Sequence, residues 1–355
     1  MNIALTGGGT AGHVMPNMAL LDDLYKHFDK VIYIGNKDKM EYDICKKFNV
    51  PFYHCDCIKL DRSKLAKNLS IPLKLPKYIK EAKKILLEHN VDVVFSKGGY
   101  VDMPVVYAAK SLDIPTVCHE SDYSLGLANK LNSLFAKGII TCFDGTCNKQ
   151  NAKVFANPIR KDFFDTHPQN IYEKHGLNHF TPILLVMGGS LGAKAINEVI
   201  YDSLDELCRK YQVIHICGNT MVPIAHKNYS QIKYTDDIQD YISASDLIIS
   251  RCGAGASTEI NALNKKALYI PLANRSSRGD QVLNARYLTG QGYALMLEEK
   301  DLNKENLLKK LDQLADFDKK VYVYDRGNNA KIVDYVSKIA YQYALTASHS
   351  SHIGY

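Results

Sequence analysis

Gly7, Gly9 and Gly12 stand at G-x-G-x-x-G spacing in the opening stretch MNIALTGGGTAGHVMP, and His13 follows directly. A glycine loop between a buried strand and a helix turns backbone N–H groups and the positive end of the helix dipole toward an anion, with no Cβ in the way. Three further turns share that setting: VVFSKGGYVDMP, VMGGSLGAKAIN and LIISRCGAGASTE. A single loop is weak evidence. Two in each half of the chain imply two phosphate-bearing ligands, one per half. A bound dinucleotide needs an acid at the end of the second strand to hold its ribose hydroxyls. That strand ends here in Ile34-Gly35-Asn36, and the nearest acid is Asp38, beyond a turn. The dinucleotide fingerprint is therefore incomplete. A P-loop is excluded, because no G-x-x-x-x-G-K-[ST] occurs. His13, at a helix start, is placed to face a ligand rather than the helix packing.

The elements that must carry these loops alternate. NIALT (2–6) precedes the first loop, and Met18, Leu21, Leu24 and Phe28 follow at helical spacing. KVIYIG, VDVVFS, PTVCHE and GIITCF are strands separated by helical or turn segments. The pattern restarts at PILLVMGGSLGAKAINEVI, followed by the strands VIHICG, DLIIS and ALYIP. Such βαβα order predicts parallel sheets covered on both faces, in two doubly wound α/β domains. NPIRKDFFDTHP (157–168) has the prolines and charges of a linker. From Leu302 onward the pattern is helical, and the polar tail ASHSSHIGY reads as frayed.

Composition narrows the setting. The chain has 355 residues, 46% of them hydrophobic, as a globular protein with two domains would. No apolar run approaches ~18 residues, the length a membrane span needs. The N-terminus lacks the basic flank of a signal peptide, so a cytoplasmic protein is expected. Nine scattered cysteines without C-x-x-C fit reduced structural thiols rather than disulfides or a metal site. The formal charge of +6 is uneven: nine Lys/Arg against Asp61 and Glu81 lie between Lys59 and Lys84, with Ile71, Leu73, Leu75 and Ile79 among them. That run reads either as a surface for an anionic membrane or as a solvated helix.

The combination GGGTAGHVMP (7–16), KGGYVDMPVVYAAKSLDIPTVCHESD (97–122), LGLANK (125–130), NPIR (157–160), MGGSLGAKAIN (187–197), SRCGAGASTEI (250–260) and RGDQVLNA (278–285) resembles the MurG family. Those are peripheral membrane glycosyltransferases that add N-acetylglucosamine to lipid I in peptidoglycan synthesis. The resemblance implies a GT-B fold, with two doubly wound Rossmann-like domains facing a cleft. An acceptor and membrane domain would span 1–157 and a UDP-N-acetylglucosamine domain 158–320. A closing helix at 321–345 would return to the first domain. It implies work at the cytoplasmic face of the cell membrane, with no cofactor, no metal and no nucleic acid. Four positions depart from the usual pattern: Ala11 stands for a glycine, Ser121-Asp122 for Gln-Asn, and Asp280 for the first of two glutamines.

Carried over by position, the donor would be held by Arg160, Ser190, Thr235, the stretch Ala254, Gly255, Ala256, Ser257, Thr258 and Glu259, and Asp280 with Gln281. Ser190 would bond the UDP phosphates, Glu259 both ribose hydroxyls, and Gln281 the sugar. Thr10, Ala11, Gly12 and the turn Lys97, Gly98, Gly99 and Tyr100 would hold the acceptor's pyrophosphate. The reaction would be direct displacement with inversion at the anomeric carbon. A general base is required. His13 is the first candidate, with Glu120 and Asp122 as the others. The literal D-x-D, Asp316-Phe317-Asp318, lies away from every glycine loop. Helix dipoles and N–H groups, rather than a metal, are therefore expected to stabilise the leaving UDP. Two rival readings remain at this point. A GT-B enzyme making another glycolipid would lack the KGGY and HESD stretches, and a non-catalytic subunit would carry only one of the two halves.

Overall fold

The computed structural model describes residues 1–57, 71–189, 192–273 and 279–351. It divides into two compact units, Met1–Arg160 with Asp325–Tyr355, and Lys161–Tyr324.

In the first unit, β1 (Asn2–Thr6), β2 (Lys30–Gly35), β3 (Phe52–His54), β4 (Val93–Ser96), β5 (Thr116–Glu120), β6 (Gly138–Thr141) and β7 (Ala152–Val154) form one parallel sheet. Its order is β3-β2-β1-β4-β5-β6-β7. The chain winds outward from β1 to β3, then returns to the other side of β1. Thr6 therefore pairs with Ile34 on one flank and Ser96 on the other. That reversal is where open α/β sheets bind ligands.

Strand residues alternate between two buried faces, which is why the strands read as continuous apolar runs. Ile3, Leu5, Tyr33 and Phe95 pack with Leu21 and Leu24 of α2 (Leu21–His27) and with Ile332, Val333 and Val336 of the closing helix. Ala4, Ile32, Ile34 and Val94 pack instead with Ala82 and Leu86, and with Val105, Ala108 and Ala109. The helices around the sheet are α1 (Ala11–Ala19), α2, α3 (Met40–Lys47), α4 (Ile71–Glu88), α5 (Met103–Ser111) and α6 (Leu127–Asn132). The stripe Met18, Leu21, Leu24 and Phe28 is buried as its spacing requires, although the helix is interrupted at Leu20.

The second unit repeats the plan. β8 (Ile183–Met187), β9 (Gln212–Ile216), β10 (Tyr229–Ile232), β11 (Leu247–Ser250), β12 (Lys266–Tyr269) and β13 (Leu295–Met296) form a parallel sheet of order β10-β9-β8-β11-β12-β13. Its helices are α7 (Pro168–His175), α8 (Lys194–Asp202), α9 (Leu204–Lys210), α10 (Ile238–Ala244), α11 (Ala254–Ala262), α12 (Asp280–Gly290) and α13 (Lys304–Ala315). The reversal here lies between β8 and β11.

The closing helix α14 (Asn328–Ser351) belongs to the first unit. Asn329 Nδ2 donates to the carbonyls of Ala19 at 2.9 Å and Ile159 at 2.7 Å. Ile339 and Tyr335 lie directly over Gly138, where a Cβ would come within 2.5 Å of Ile339 Cδ1. The tail read as frayed is helical through Ser351. Among the described residues, no helix is long and apolar enough to cross a membrane.

Candidate active site

Both glycine loops of the first unit leave the carboxyl ends of neighbouring strands, β1 and β4, and rest on each other. Gly7, Gly9, Gly98 and Gly99 all have positive φ. A Cβ on Gly99 would meet Gly8 O at 2.7 Å and His13 Nδ1 at 3.6 Å. A Cβ on Gly9 would meet Tyr100 Cε1 at 2.8 Å. Thr10, Ala11, Gly12, His13, Gly98, Gly99 and Tyr100 thus form one patch. His13 Nδ1 shares a 3.0 Å hydrogen bond with Thr10 Oγ1.

Buried polar groups hold the patch from behind. Tyr33 donates its hydroxyl to Gly7 O at 2.6 Å. Glu41 is fully buried, and accepts from Gly9 N at 3.3 Å and Asn36 N at 3.4 Å. Under the second loop, Asp102 accepts from Ser96 Oγ and from Asn132 Nδ2 at 3.0 Å. Burial pushes the Asp102 carboxyl up to about 7.

Glu120 ends β5 with both oxygens engaged. Oε1 accepts from Asp122 N at 3.1 Å, and Oε2 from Gly126 N at 2.8 Å and Asn129 Nδ2 at 3.0 Å. Asn129 in turn leaves no room for a Cβ on Gly98, at 2.7 Å. The geometry gives Glu120 the work of shaping the loop that carries Asp122, itself half-buried. The Arg160 guanidinium lies 6.0 Å from the Phe48 ring, just past the end of α3.

In the second unit the candidate residues again gather at carboxyl ends of strands. Gly192 would put a Cβ 2.2 Å from Cys217 O, so the turn after β8 lies directly on the end of β9. Ser190, inside that turn, lies outside the described residues. The turn has its own buried support: Asn197 Nδ2 donates to Cys217 O at 2.9 Å, and His215 joins Asn197 Oδ1 to the Tyr229 hydroxyl, each at 2.9 Å.

Ala254, Gly255 and Ala256 form the first turn of α11, with Gly253 as its cap. Ser257 and Thr258 turn their hydroxyls inward to Ala254 O, at 3.3 and 2.7 Å. Glu259 is half-buried one position further on. Gln281 Oε1 accepts from Leu272 N at 2.9 Å, and Asn284 Nδ2 donates to Cys252 O at 3.1 Å. The start of α12, with Asp280, is thereby tied to the ends of β11 and β12. Thr235 accepts from Asp237 N at 3.1 Å in the turn after β10.

Asp316 and Asp318 sit at the other end of this sheet. Lys266, the first residue of β12, donates to Ala315 O at 2.6 Å. Among the described residues, no group of three or more His, Cys, Asp or Glu is placed to hold a metal ion. None of the nine cysteines is in a disulfide, and burial raises the thiols of Cys55 and Cys57 to about 12.

The basic run is only partly described, since Lys59 to Ser70 lie outside the described residues. On α4, Leu73 is 82% exposed, and Lys74 and Lys77 are exposed. Ile79 departs from the expectation that it shares that surface. One turn on, it packs against the cluster of Ala82 and Leu86, because the amphipathic helix turns that side to the sheet.

Several supporting residues are absent from the sequence reading: Glu41, Asp102, Asn129, Asn197 and His215. Nothing in its own segment marks any of them out, and only the fold brings each behind a glycine turn.

The glycosyltransferase family 28 N-terminal domain matches residues 3–141, and the C-terminal domain of the same family matches residues 183–339. The chain is 40% identical over 328 residues to the UDP-N-acetylglucosamine--N-acetylmuramyl-(pentapeptide) pyrophosphoryl-undecaprenol N-acetylglucosamine transferase of Clostridium botulinum (strain Kyoto / Type A2), covering 90% of this chain and 92% of that protein. It is 40% identical to the protein of that name from Lachnoclostridium phytofermentans, covering 95% and 96%. Among solved structures it is similar to MurG of Acinetobacter baumannii, with a TM-score of 0.76 and 25% identity, covering 95% of this chain and 99% of that one. The fold recurs, at 14% identity and a TM-score of 0.63, in a UDP-GlcNAc 2-epimerase from Neisseria meningitidis. With both domains matched in order and relatives aligned along nearly their whole length, the chain belongs to glycosyltransferase family 28, in its MurG branch.

Proposed function

We propose that this family 28 enzyme moves N-acetylglucosamine from UDP-N-acetylglucosamine to the muramyl 4-hydroxyl of lipid I, giving lipid II with inversion at the anomeric carbon. The observation that carries this reading is the 40% identity to transferases of that name along 90% or more of both chains. The four glycine turns at strand ends agree with it, since both substrates carry a diphosphate.

On this reading the second unit holds the donor. Glu259 accepts from the ribose hydroxyls, as one carboxylate can from two. Gln281 has its oxygen committed to Leu272 N, so its amide N–H groups are the part that meets the sugar. The α11 N-terminus, with the backbone of Gly188 and Gly189 after β8, offers N–H groups to the leaving diphosphate. The first unit holds the acceptor diphosphate on the stacked loops at Thr10–Gly12 and Gly98–Tyr100. His13 takes the proton from the attacking hydroxyl. The hydrogen bond between Nδ1 and Thr10 Oγ1 orients the ring for that step. Asp122 is the second base candidate, because Glu120 already accepts three hydrogen bonds.

The acceptor's polyprenyl chain stays in the bilayer, so the enzyme works as a peripheral protein at the cytoplasmic face of an anionic membrane. The exposed Leu73, Lys74 and Lys77 support that placement. Incubating the purified protein with UDP-N-acetylglucosamine and lipid I tests the whole reading. Appearance of the disaccharide lipid and UDP is the expected result. No transfer to lipid I, with transfer to another glycolipid, would remove it.

A further inference from the structure

Lys97 follows β4 and opens the Gly98–Gly99 turn, yet its side chain is almost wholly buried, at 1% exposure. Its Nζ donates to Nδ1 of His119 and to Oγ of Ser121, the latter at 2.6 Å. Ser121 passes its own proton to Oδ1 of Asn157 at 2.7 Å. A protonated lysine has three N–H bonds to satisfy. The described residues supply two acceptors, both uncharged, and no carboxylate among them pairs with it.

The charged and titratable groups around it come from three segments. His119 and Glu120 lie on β5, Asp122 just beyond it, and Cys142 just beyond β6. His119 is kept neutral, because burial and the neighbouring ammonium hold its imidazole well below the ordinary value. Burial keeps the Cys142 thiol protonated, pushed up to about 12. Glu120 and Asp122 act on Lys97 only across space, and Glu120 spends its oxygens on its own loop. A cation buried without a contacting anion is costly. It either sheds its proton or is matched by a negative ligand.

We propose that Lys97 is the electrostatic partner of a diphosphate on the Gly98–Gly99 turn, so that binding the acceptor to the first unit takes up a proton. The proposal rests on reading that unit as the acceptor side. In the ligand-free protein, burial pulls the Lys97 ammonium down to about 8. A nearby anion favours the charged form and raises that value. A diphosphate diester keeps a constant charge across neutral and mildly alkaline pH, so the proton taken up belongs to the protein. Acceptor affinity is then full below about pH 8 and falls above it, by up to about tenfold per pH unit.

The test is calorimetric titration of a soluble, short-chain lipid I analogue in buffers of different ionisation enthalpy at three pH values. The wild type is expected to take up about 0.1, 0.5 and 0.9 protons per ligand at pH 7, 8 and 9. Lys97→Met should take up none, and bind at least tenfold more weakly at pH 7 with a flat profile. Lys97→Arg should keep affinity at pH 7 and take up no proton. A thermal melt of the first unit and a far-UV spectrum like those of the wild type show that both variants fold. Undiminished uptake in Lys97→Met, or wild-type binding without uptake, overturns the proposal. If the wild type does not bind the analogue at all, the acceptor reading fails, and this inference falls with it.

Discussion

Gly99 lies against Gly8 so closely that a Cβ on the former would come within 2.7 Å of the latter's carbonyl oxygen. The two glycine loops of the first unit are therefore backbone on backbone, and neither can move alone. Gly99 also has φ +93, a conformation that strains any L side chain. Gly99→Ala is expected to lose about 1–3 kcal/mol of stability. Its acceptor turnover should fall at least a hundredfold while UDP-N-acetylglucosamine binding is kept. Thermal melts, calorimetry and initial rates check this. A variant with wild-type acceptor KM would mean the loops do not hold the acceptor.

On the proposed reading, His13 and Glu120 should make separable contributions. A positioned general base contributes roughly 10²–10⁴-fold. His13→Ala should lower kcat within that range and abolish the acid limb of the kcat profile. Glu120→Ala leaves Asp122 N, Gly126 N and the Asn129 amide without their acceptor. It should lose about 1–3 kcal/mol or more of stability. The rate should fall, yet the acid limb should persist. The opposite pattern, a limb lost with Glu120 and kept without His13, exchanges the two roles.

The donor side should bind without a metal. The only literal D-x-D motif sits at the amino end of the second sheet, by Lys266, whereas the glycine turns leave the carboxyl ends. UDP-N-acetylglucosamine binding and turnover should survive excess EDTA. Glu259→Ala should weaken donor binding about tenfold or more, the scale of hydrogen bonds to a charged group. Turnover lost on chelation and restored by Mg²⁺ or Mn²⁺ would show that a metal shares the work. Tight binding in Glu259→Ala would free that residue of its role.

Asp102 gives stability a pH dependence of known sign. Its carboxyl is raised from the ordinary carboxylate value of 3.8 to about 7 by burial. The folded state thus holds a proton that the unfolded state releases between those values. The stability it contributes is full below about pH 4 and lost as pH rises toward about 7. At ~1.4 kcal/mol per pKa unit, the loss is at most ~4 kcal/mol. Asp102→Asn does not titrate there, so its stability relative to wild type should climb across that window and level off above pH 7. Urea unfolding at pH 4.5, 6 and 8 measures the difference. Parallel curves for the two proteins would mean that Asp102 stays ionised in the fold.

What the sequence discloses here follows from how local each signal is. The central strands β1, β2, β4, β8 and β11 are buried on both faces, and appear in the sequence as short, mostly apolar runs that lead into glycine. The edge strands Phe52–His54, Ala152–Val154, Tyr229–Ile232 and Leu295–Met296 are short and partly exposed, so nothing in FYH or YSQI sets them apart from a loop. The same divide runs through the site. Loops that need glycine for positive φ are visible as glycines. Glu41, Asp102 and Asn197, which hold those loops from behind, look like ordinary polar residues until distant elements meet. Ser121 is similar, for its partners Lys97 and Asn157 are 24 and 36 positions away.

The membrane surface is the remaining expectation with a sharp test. On the proposed reading the acceptor's lipid stays in the bilayer and the first unit holds the acceptor, so that unit is expected to reach the headgroups. On α4, Leu73, Lys74 and Lys77 face solvent, while Ile79 is turned into the core and takes no part in insertion. Lys77 also lies 3.7 Å from Glu81, an exposed pair that contributes little and yields readily to a lipid phosphate. Near an anionic leaflet each lysine contributes ~1 kcal/mol. Removing Lys64, Lys67, Lys74 and Lys77 should therefore cost ~4 kcal/mol, or about a thousandfold in partitioning. The wild type should co-sediment with vesicles rich in anionic lipid, and salt should release it over the range in which the Debye length shortens from ~10 to ~3 Å. The variant with all four lysines reversed to Glu should stay in the supernatant and still bind UDP-N-acetylglucosamine, which belongs to the other unit. Leu73→Ala alone should weaken sedimentation in a salt-insensitive way, because the part it removes is apolar burial. Should the fourfold variant sediment like the wild type, the basic run is a solvated surface and another face of the first unit meets the lipid.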